Sequence, residues 1–438
     1  MRRIALLAAA AAASLSATTA MAQTEIQFWH AFTGRLGELL QAHADAFNAS
    51  QSAYRVVATN KGSYAETLNA GIAAFRAGEQ PHILQVFEVG TATMMAARGA
   101  IKPVHELMAE AGYPLDPEQY LATVTGYYTT PEGEMLSFPY NSSTQVLYVN
   151  DALFAQAGLD PAMSLATWPE VEGAMKALKA AGVACPFTTT WQSWVHLESF
   201  SAYHDVPFAT RANGFEGLDA ELAFNSDLHV AHIGAMAQWA KDGLFVYGGR
   251  TSQAGARFRA GECAMMTESS AGYAGIKAEA TFPFQIRNLP YWDAAEGAPQ
   301  NTIIGGASLW VMAGHDDAEY KGVAEFFRFL SSPTVQAKWH QDTGYLPITY
   351  AAYGLTMAQG FYDANPGTDV AIRQMTAKAP TANSKGLRLG SLVQIREVID
   401  EELEAVWAGQ KEPKAALDTA VARGNELLRR FEQANASN

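Results

Sequence analysis

The stretch EIQFWHAFTGRLGELLQAHADAFNASQSAYRVVATNKGSYAETLNAGIAAFRAGEQPHILQVF, Glu25–Phe87, reads as strand, helix, strand, helix, strand. Glu25 to His30 is an apolar-rich opening strand, and Thr33-Gly34 marks a turn. From Leu36 to Asn48, apolar Leu36, Leu39, Leu40 and Phe47 recur at helical spacing, with His43 interrupting that face without breaking the period. Tyr54 to Ala58 predicts a second strand. Thr67 to Arg76 predicts a helix ended by Gly78, and His82 to Phe87 a buried strand. Strands alternating with helices of this length imply βαβ units and a parallel sheet.

The alternation resumes further along. Gln145–Val149 reads as a strand, Asp151–Ala157 as a helix, and Trp168–Ala181 as a helix stopped by Gly182. Cys263–Thr267, Phe282–Asn288 and Ala307–Met312 read as strands, and Arg396–Trp407 and Ala415–Ala434 as helices. No internal repeat and no Pro/Gly/Ser-rich linker divides the chain, so two α/β regions without a spacer predict two packed lobes. Ligands favour the cleft between such lobes.

Composition narrows the function classes. The chain has 438 residues, 49% hydrophobic and 17% charged, a globular balance. With 30 basic against 44 acidic residues its net charge is −14, which argues against nucleic acid or anionic lipid as partner. Arg2 and Arg3, the apolar run Ile4–Ala13 and the small-x-small site Ala20-Met21-Ala22 predict an export signal over residues 1–22, cleaved after Ala22. Cys185 and Cys263 read either as a disulfide or as two buried thiols; they are too few for a Cys-based metal site. His229 and His232 share one helical face but have no third ligand, and read as solvated surface histidines. No metal and no cofactor is expected.

The chain lacks GxSxG, a P-loop, a GxGxxG after a strand and HExxH. Glu401, Glu402 and Glu404 read as a solvated helix face. A secreted hydrolase of glycosides or glycerophosphodiesters needs only two carboxylates placed by the fold, and stands as the competing class. Several strand-end segments suit a small polar ligand instead: Lys61–Tyr64, Tyr140–Thr144, Ser269–Gly272 and Ile303–Ala307. Small residues admit a ligand to backbone N–H groups, and hydroxyls add neutral donors, although such segments also serve as turns and caps. Trp191 and Trp194, with both rings predicted on one side of a helical turn, offer stacking platforms for a polyol or a cage for a cation; packing between lobes is the plainer alternative.

QFWHAF, ATNKGSYAETLNAGIAAFRAG, ILQVFEVGTATMMA, NSSTQVLY, WQSW, APQNTIIGGASLWVMAG, DTGYLPIT and GLRLGSLVQIREVIDEELEAVW, in this order from Gln27 to Trp407, resemble the periplasmic glycerol-3-phosphate-binding proteins of ABC uptake systems. These belong to the wider maltose-binding-type extracellular solute-binding proteins. The resemblance implies an α/β, two-lobed periplasmic-binding-protein fold of type II with the ligand cleft between lobes. Residues 23–138 with 290–345 would form one lobe, and 139–289 with 346–438 the other. It implies a monomeric periplasmic binding protein, not an enzyme, that serves a membrane permease and ATPase complex.

It also implies ligand contacts at Tyr64, Glu88, Ser143, Ser269, Gly306, Tyr345 and Arg396, with Trp191 and Trp194 packing on the glycerol portion. Arg396 offers a planar fork for phosphate, the hydroxyls and the Gly306 N–H surround its other oxygens, and Glu88 accepts from hydroxyls at the far end. Glu268, beside Ser269, is expected to point away from a dianion. Glycerol-3-phosphate and glycerophosphocholine both fit that polarity.

Overall fold

The computed structural model describes residues 23–130 and 132–435, and the predicted export signal over 1–22 lies outside them. Two sheets carry the fold. The first contains β1 (Thr24–His30), β2 (Tyr54–Asn60), β3 (Ile83–Phe87), β4 (Ile101–Lys102), β5 (Phe138–Ser143) and β10 (Gly305–Met312), in the order β2-β1-β3-β10-β4 with β5 also on β10. The second contains β6 (Gln145–Asn150), β7 (Cys185–Thr189), β8 (Cys263–Ser269) and β9 (Phe284–Arg287), ordered β7-β8-β6-β9.

The opening stretch folds as its pattern requires. β1 pairs parallel with β2 and β3, joined by helices Gly34–Ser50 and Tyr64–Ala77. Leu39, Leu40, Ala44 and Phe47 of the first helix are buried. They pack with Ile26, Phe28, Ile83, Leu309, Val311, Phe326 and Phe327 in one core. A second core gathers Leu147, Val149, Trp168, Val171, Leu178, Phe187 and Met265 around the second sheet. Among the described residues no helix is long and apolar enough to cross a membrane.

A wholly parallel sheet is not what forms. β10 runs antiparallel to β3, β4 and β5, and β6 is antiparallel to β8 and β9. The right-handed crossover rule binds only strands joined across one sheet's face. β10 enters the first sheet from the second, so nothing obliges it to run parallel. Two crossings lie side by side: Thr144, between β5 and β6, places its Oγ1 2.8 Å from Ile303 O and 2.7 Å from Thr302 Oγ1. The expected lobe boundary at 138/139 falls at the first residue of β5, whereas β5 remains with β10 as far as Ser143.

Cys185 and Cys263 occupy paired positions on β7 and β8 and form a disulfide, with Cα atoms 4.5 Å apart. It closes a span of 78 residues. Chain entropy for such a loop predicts that replacing both cysteines by alanine costs about 4 kcal/mol of stability. Urea unfolding of the two proteins measures this, and a cost below about 1 kcal/mol would show that the cross-link contributes little.

His229 and His232 do share a face of helix Asp227–Lys241, but both are wholly buried, contrary to the solvated reading. Neighbouring polar groups make that burial tolerable. His232 Nδ1 accepts from Trp292 Nε1, and its Nε2 lies 3.1 Å from His196 Nδ1; His196 Nε2 meets Thr189 Oγ1 at 2.9 Å. His229 lies between the hydroxyls of Ser201 and Ser226. Burial lowers His196 and His229 to about 3 and holds His232 well below its ordinary value, so the cluster is uncharged at neutral pH. The acidic helix face is also only partly solvated: Glu402 is buried against Lys411 and Arg423, and Glu404 pairs with Arg250.

Candidate functional site

Strand ends from both sheets supply the site. Tyr64 opens helix Tyr64–Ala77, whose start is set by Ser63: Glu66 N donates to its hydroxyl, and the Glu66 carboxylate accepts the Ser63 N–H. The Tyr64 ring stacks on Phe87, with centroids 5.2 Å apart, and its Oη lies 3.1 Å from the Asn141 side-chain amide. The Tyr345 ring packs against both Phe32 and Trp339, and the Tyr64 ring meets the same Phe32 edge-on. Burial drives the Tyr64 hydroxyl well above its ordinary value and raises that of Tyr345 too, so both stay protonated and able to donate.

Gly305 and Gly306 serve distinct contacts. A Cβ on Gly305 would lie 2.1 Å from the Trp194 ring, and one on Gly306 1.8 Å from Asn141 O. Gly306 also has φ +91°, a conformation that L side chains rarely adopt. β-pairing sets Ser143 opposite Gly305, and on the second sheet Ser269 opposite Gln145. Ser142 Oγ, Ser270 Oγ and Trp194 Nε1 are buried with no hydrogen-bond partner among the described residues. Buried donors of this kind are costly unless something else satisfies them. This end of the site is rich in neutral donors.

The tryptophan pair differs from its sequence reading. Trp191 precedes the helical turn with φ +46°, a strained value for a non-glycine residue, and its ring tilts toward Tyr64 with centroids 6.5 Å apart. Trp194 begins a π-helical turn, Trp194–Ser199, and is buried against Gly305. Such turns are rare and are frequent at functional sites. Between them Gln192 Nε2 donates to Asp400 Oδ1 at 3.0 Å, and Gln192 Oε1 accepts from Trp407 Nε1 at 2.7 Å. Helix Leu392–Trp407 therefore anchors the tryptophan segment.

Arg396 and Glu88 are not opposite poles. The Arg396 Nη2 donates to Glu88 Oε1 at 2.5 Å and to Glu198 Oε2 at 2.7 Å, and its Nε donates to Glu198 Oε1 at 2.6 Å. All three residues are buried. The guanidinium fork that the sequence reserved for phosphate is already filled by a carboxylate bidentately. Burial works against the charged guanidinium, but Glu198 and Glu88 outweigh it and hold its pKa above the ordinary value. Burial raises Glu88, with Arg396 opposing. The triad draws Glu88 from the end of β3 and Glu198 from the segment after β7, so it ties the two sheets together.

Glu198 escaped the sequence reading. Its signal was a lone acid in the run Trp194–Phe200, WVHLESF, where an ionised group needs a partner. Glu268 is buried and, among the described residues, forms no ion pair, although the charge of Arg259 acts on it. It accepts the Ser269 N–H at 2.7 Å, and burial pushes it up to about 7. Chemically, the neutral end suits an oxyanion, and the carboxylate–guanidinium end suits hydroxyl groups, which both donate and accept.

A model of the bacterial extracellular solute-binding protein family matches residues 42–367. Over 417 residues the chain is 53% identical to the sn-glycerol-3-phosphate-binding periplasmic protein UgpB of Yersinia pseudotuberculosis, covering 95% of each. The UgpB protein of Salmonella typhimurium is 52% identical over 419 residues, with the same coverage. Among solved structures, UgpB from Mycobacterium tuberculosis in complex with glycerophosphocholine aligns with TM-score 0.78 at 20% identity, covering 93% of this chain and 99% of that one. Maltose-bound MalE3 of T. maritima aligns with TM-score 0.74 at 17% identity, covering 92% and 100%. The two structures share this two-lobed α/β fold, and by its family match and its half-identical relatives the chain belongs to the bacterial extracellular solute-binding proteins.

Proposed function

We propose that this chain is the periplasmic binding component of an ABC importer that captures sn-glycerol-3-phosphate and hands it to a membrane permease and ATPase complex. What supports the reading is that the strand ends carry neutral hydroxyl donors, Ser142 and Ser270 included with no partner among the described residues, beside the buried Glu88–Arg396–Glu198 clasp. Tyr64, Tyr345, Ser143, Ser269 and the Gly306 N–H would surround phosphate without a formal counter-charge. Glu88 and Arg396 would read the glycerol hydroxyls, with Trp191 and Trp194 against its carbons. Relatives named for this ligand, at 53% identity over 95% of the chain, support the reading. The matching family and the half-identical relatives are solute-binding proteins, which supports capture of a ligand rather than its hydrolysis. Glycerophosphocholine is a second candidate, since the negative end and the two indoles also suit a quaternary ammonium, and the M. tuberculosis relative was solved with it.

Calorimetric titration against glycerol-3-phosphate, glycerophosphocholine, glycerol, inorganic phosphate and maltose tests the proposal. Glycerol-3-phosphate should bind, and glycerol and maltose should give no heat. Maltose binding as tight as glycerol-3-phosphate would overturn it. Contacts drawn from both sheets favour the closed cleft selectively. Saturating glycerol-3-phosphate should therefore lower the radius of gyration in solution scattering, and an unchanged value would remove ligand-driven closure.

A further inference from the structure

We propose that Glu198 is a specificity-determining residue: it leaves the hydroxyl end of the cleft with an excess negative charge, so that the protein takes phosphate esters with a neutral or cationic tail and refuses those with a second anion. This deepens the glycerophosphate reading above and rests on it.

Arg396 is one cation, and Glu198 alone neutralises it through two hydrogen bonds, at 2.6 and 2.7 Å. Glu88, at 2.5 Å from the same Nη2, is then a carboxylate in excess. The three side chains are at most 10% exposed, so water screens them little. Asp400, one turn further along the helix that carries Arg396, adds another buried carboxyl near Arg396 and Glu198.

Glu198 engages Arg396 with both of its oxygens and so acts on a ligand through charge and through the orientation of the guanidinium. Glu88 has one carboxylate oxygen, Oε2, outside this clasp, and Arg396 Nη1 likewise takes no part in it. The clasp thus leaves one acceptor and one donor uncommitted, and a hydroxyl, which both donates and accepts, can use either. A tail carboxylate offers only acceptors. It could meet Nη1 but would lie against Glu88 with no proton between them and with Glu198 close behind. Rejection of this kind is built from repulsion and adds discrimination that attraction alone cannot supply.

The test compares sn-glycerol-3-phosphate with L-3-phosphoglycerate, the stereoisomer in which a carboxylate replaces the terminal CH2OH at unchanged C2 configuration, and with the uncharged amide of that acid. Wild type should bind glycerol-3-phosphate at least about a hundredfold more tightly than the acid, and the amide at least tenfold more tightly than the acid. Glu198→Gln should shrink the ratio between glycerol-3-phosphate and the acid by tenfold or more. A merely structural glutamate would weaken both ligands together and leave the ratio unmoved. An unchanged ratio in E198Q overturns the proposal. If E198Q does not fold, the wild-type arm decides: an amide no better than the acid means that size, not charge, is being read. Wild type failing to bind glycerol-3-phosphate at all would instead refute the glycerophosphate reading itself.

Discussion

Arg396→Ala should destabilise the folded protein by about 3–5 kcal/mol and abolish ligand binding. Removing the guanidinium leaves Glu88 and Glu198 buried beside each other without a cation, and each lies within 2.7 Å of it in the native structure. Two carboxyls in that position must either take up a proton or open the structure. Arg396→Lys should recover only part of the loss, because an ammonium cannot satisfy Glu198 bidentately and reach Glu88 as well. A triple variant, Arg396→Met with Glu88→Gln and Glu198→Gln, should regain most of the stability but not the binding, since well-packed neutral groups can replace a buried ion cluster at little cost. Urea unfolding and calorimetry on the four proteins check this. A loss below about 1 kcal/mol for Arg396→Ala would mean that the triad is solvated and weak.

That prediction differs from the one the sequence alone supports, and the difference marks what a sequence can carry. Periodicity is local, and it placed the strands and helices of Glu25–Phe87 correctly because a 3.6-residue or two-residue repeat is set by each element's own buried face. The direction of β10 was not local: it depends on which sheet the chain arrives from, which no pattern within ASLWVM records. Residue types also mislead when partners are remote. Arg396 reads as a free phosphate fork until Glu198, 198 residues away, is seen to fill it. His229 and His232 read as surface residues until His196, Ser201, Ser226 and Trp292 are found around them. Strand-end segments were easier. Gly305-Gly306 opens β10 and Ser142-Ser143 ends β5, and their small size already pointed to something approaching closely.

Gly306→Ala should lower affinity for glycerol-3-phosphate at least about a hundredfold while the protein still folds. The new Cβ would fall 1.8 Å from the carbonyl oxygen of Asn141, a backbone atom that cannot turn aside as a flexible side chain would. The φ of +91° adds strain that alanine relieves only by moving β10. Either adjustment pushes β5 away from β10 where Ser142 faces Gly306 and Ser143 faces Gly305. Asn141 contacts the Tyr64 hydroxyl, so the displacement also reaches the donors gathered around Tyr64 and Tyr345. The stability cost should be smaller, about 1–3 kcal/mol, because the pairing irregularity between Ala307 and Ser308 can absorb part of the shift. Donors that must match one oxyanion have no such tolerance, since displaced by an ångström they cease to be hydrogen bonds. Calorimetry with glycerol-3-phosphate and thermal unfolding separate the two effects. If Gly306→Ala binds within a factor of about three of wild type, phosphate does not sit at the β5–β10 junction, and the neutral end of the cleft must be sought nearer Ser269 and Ser270.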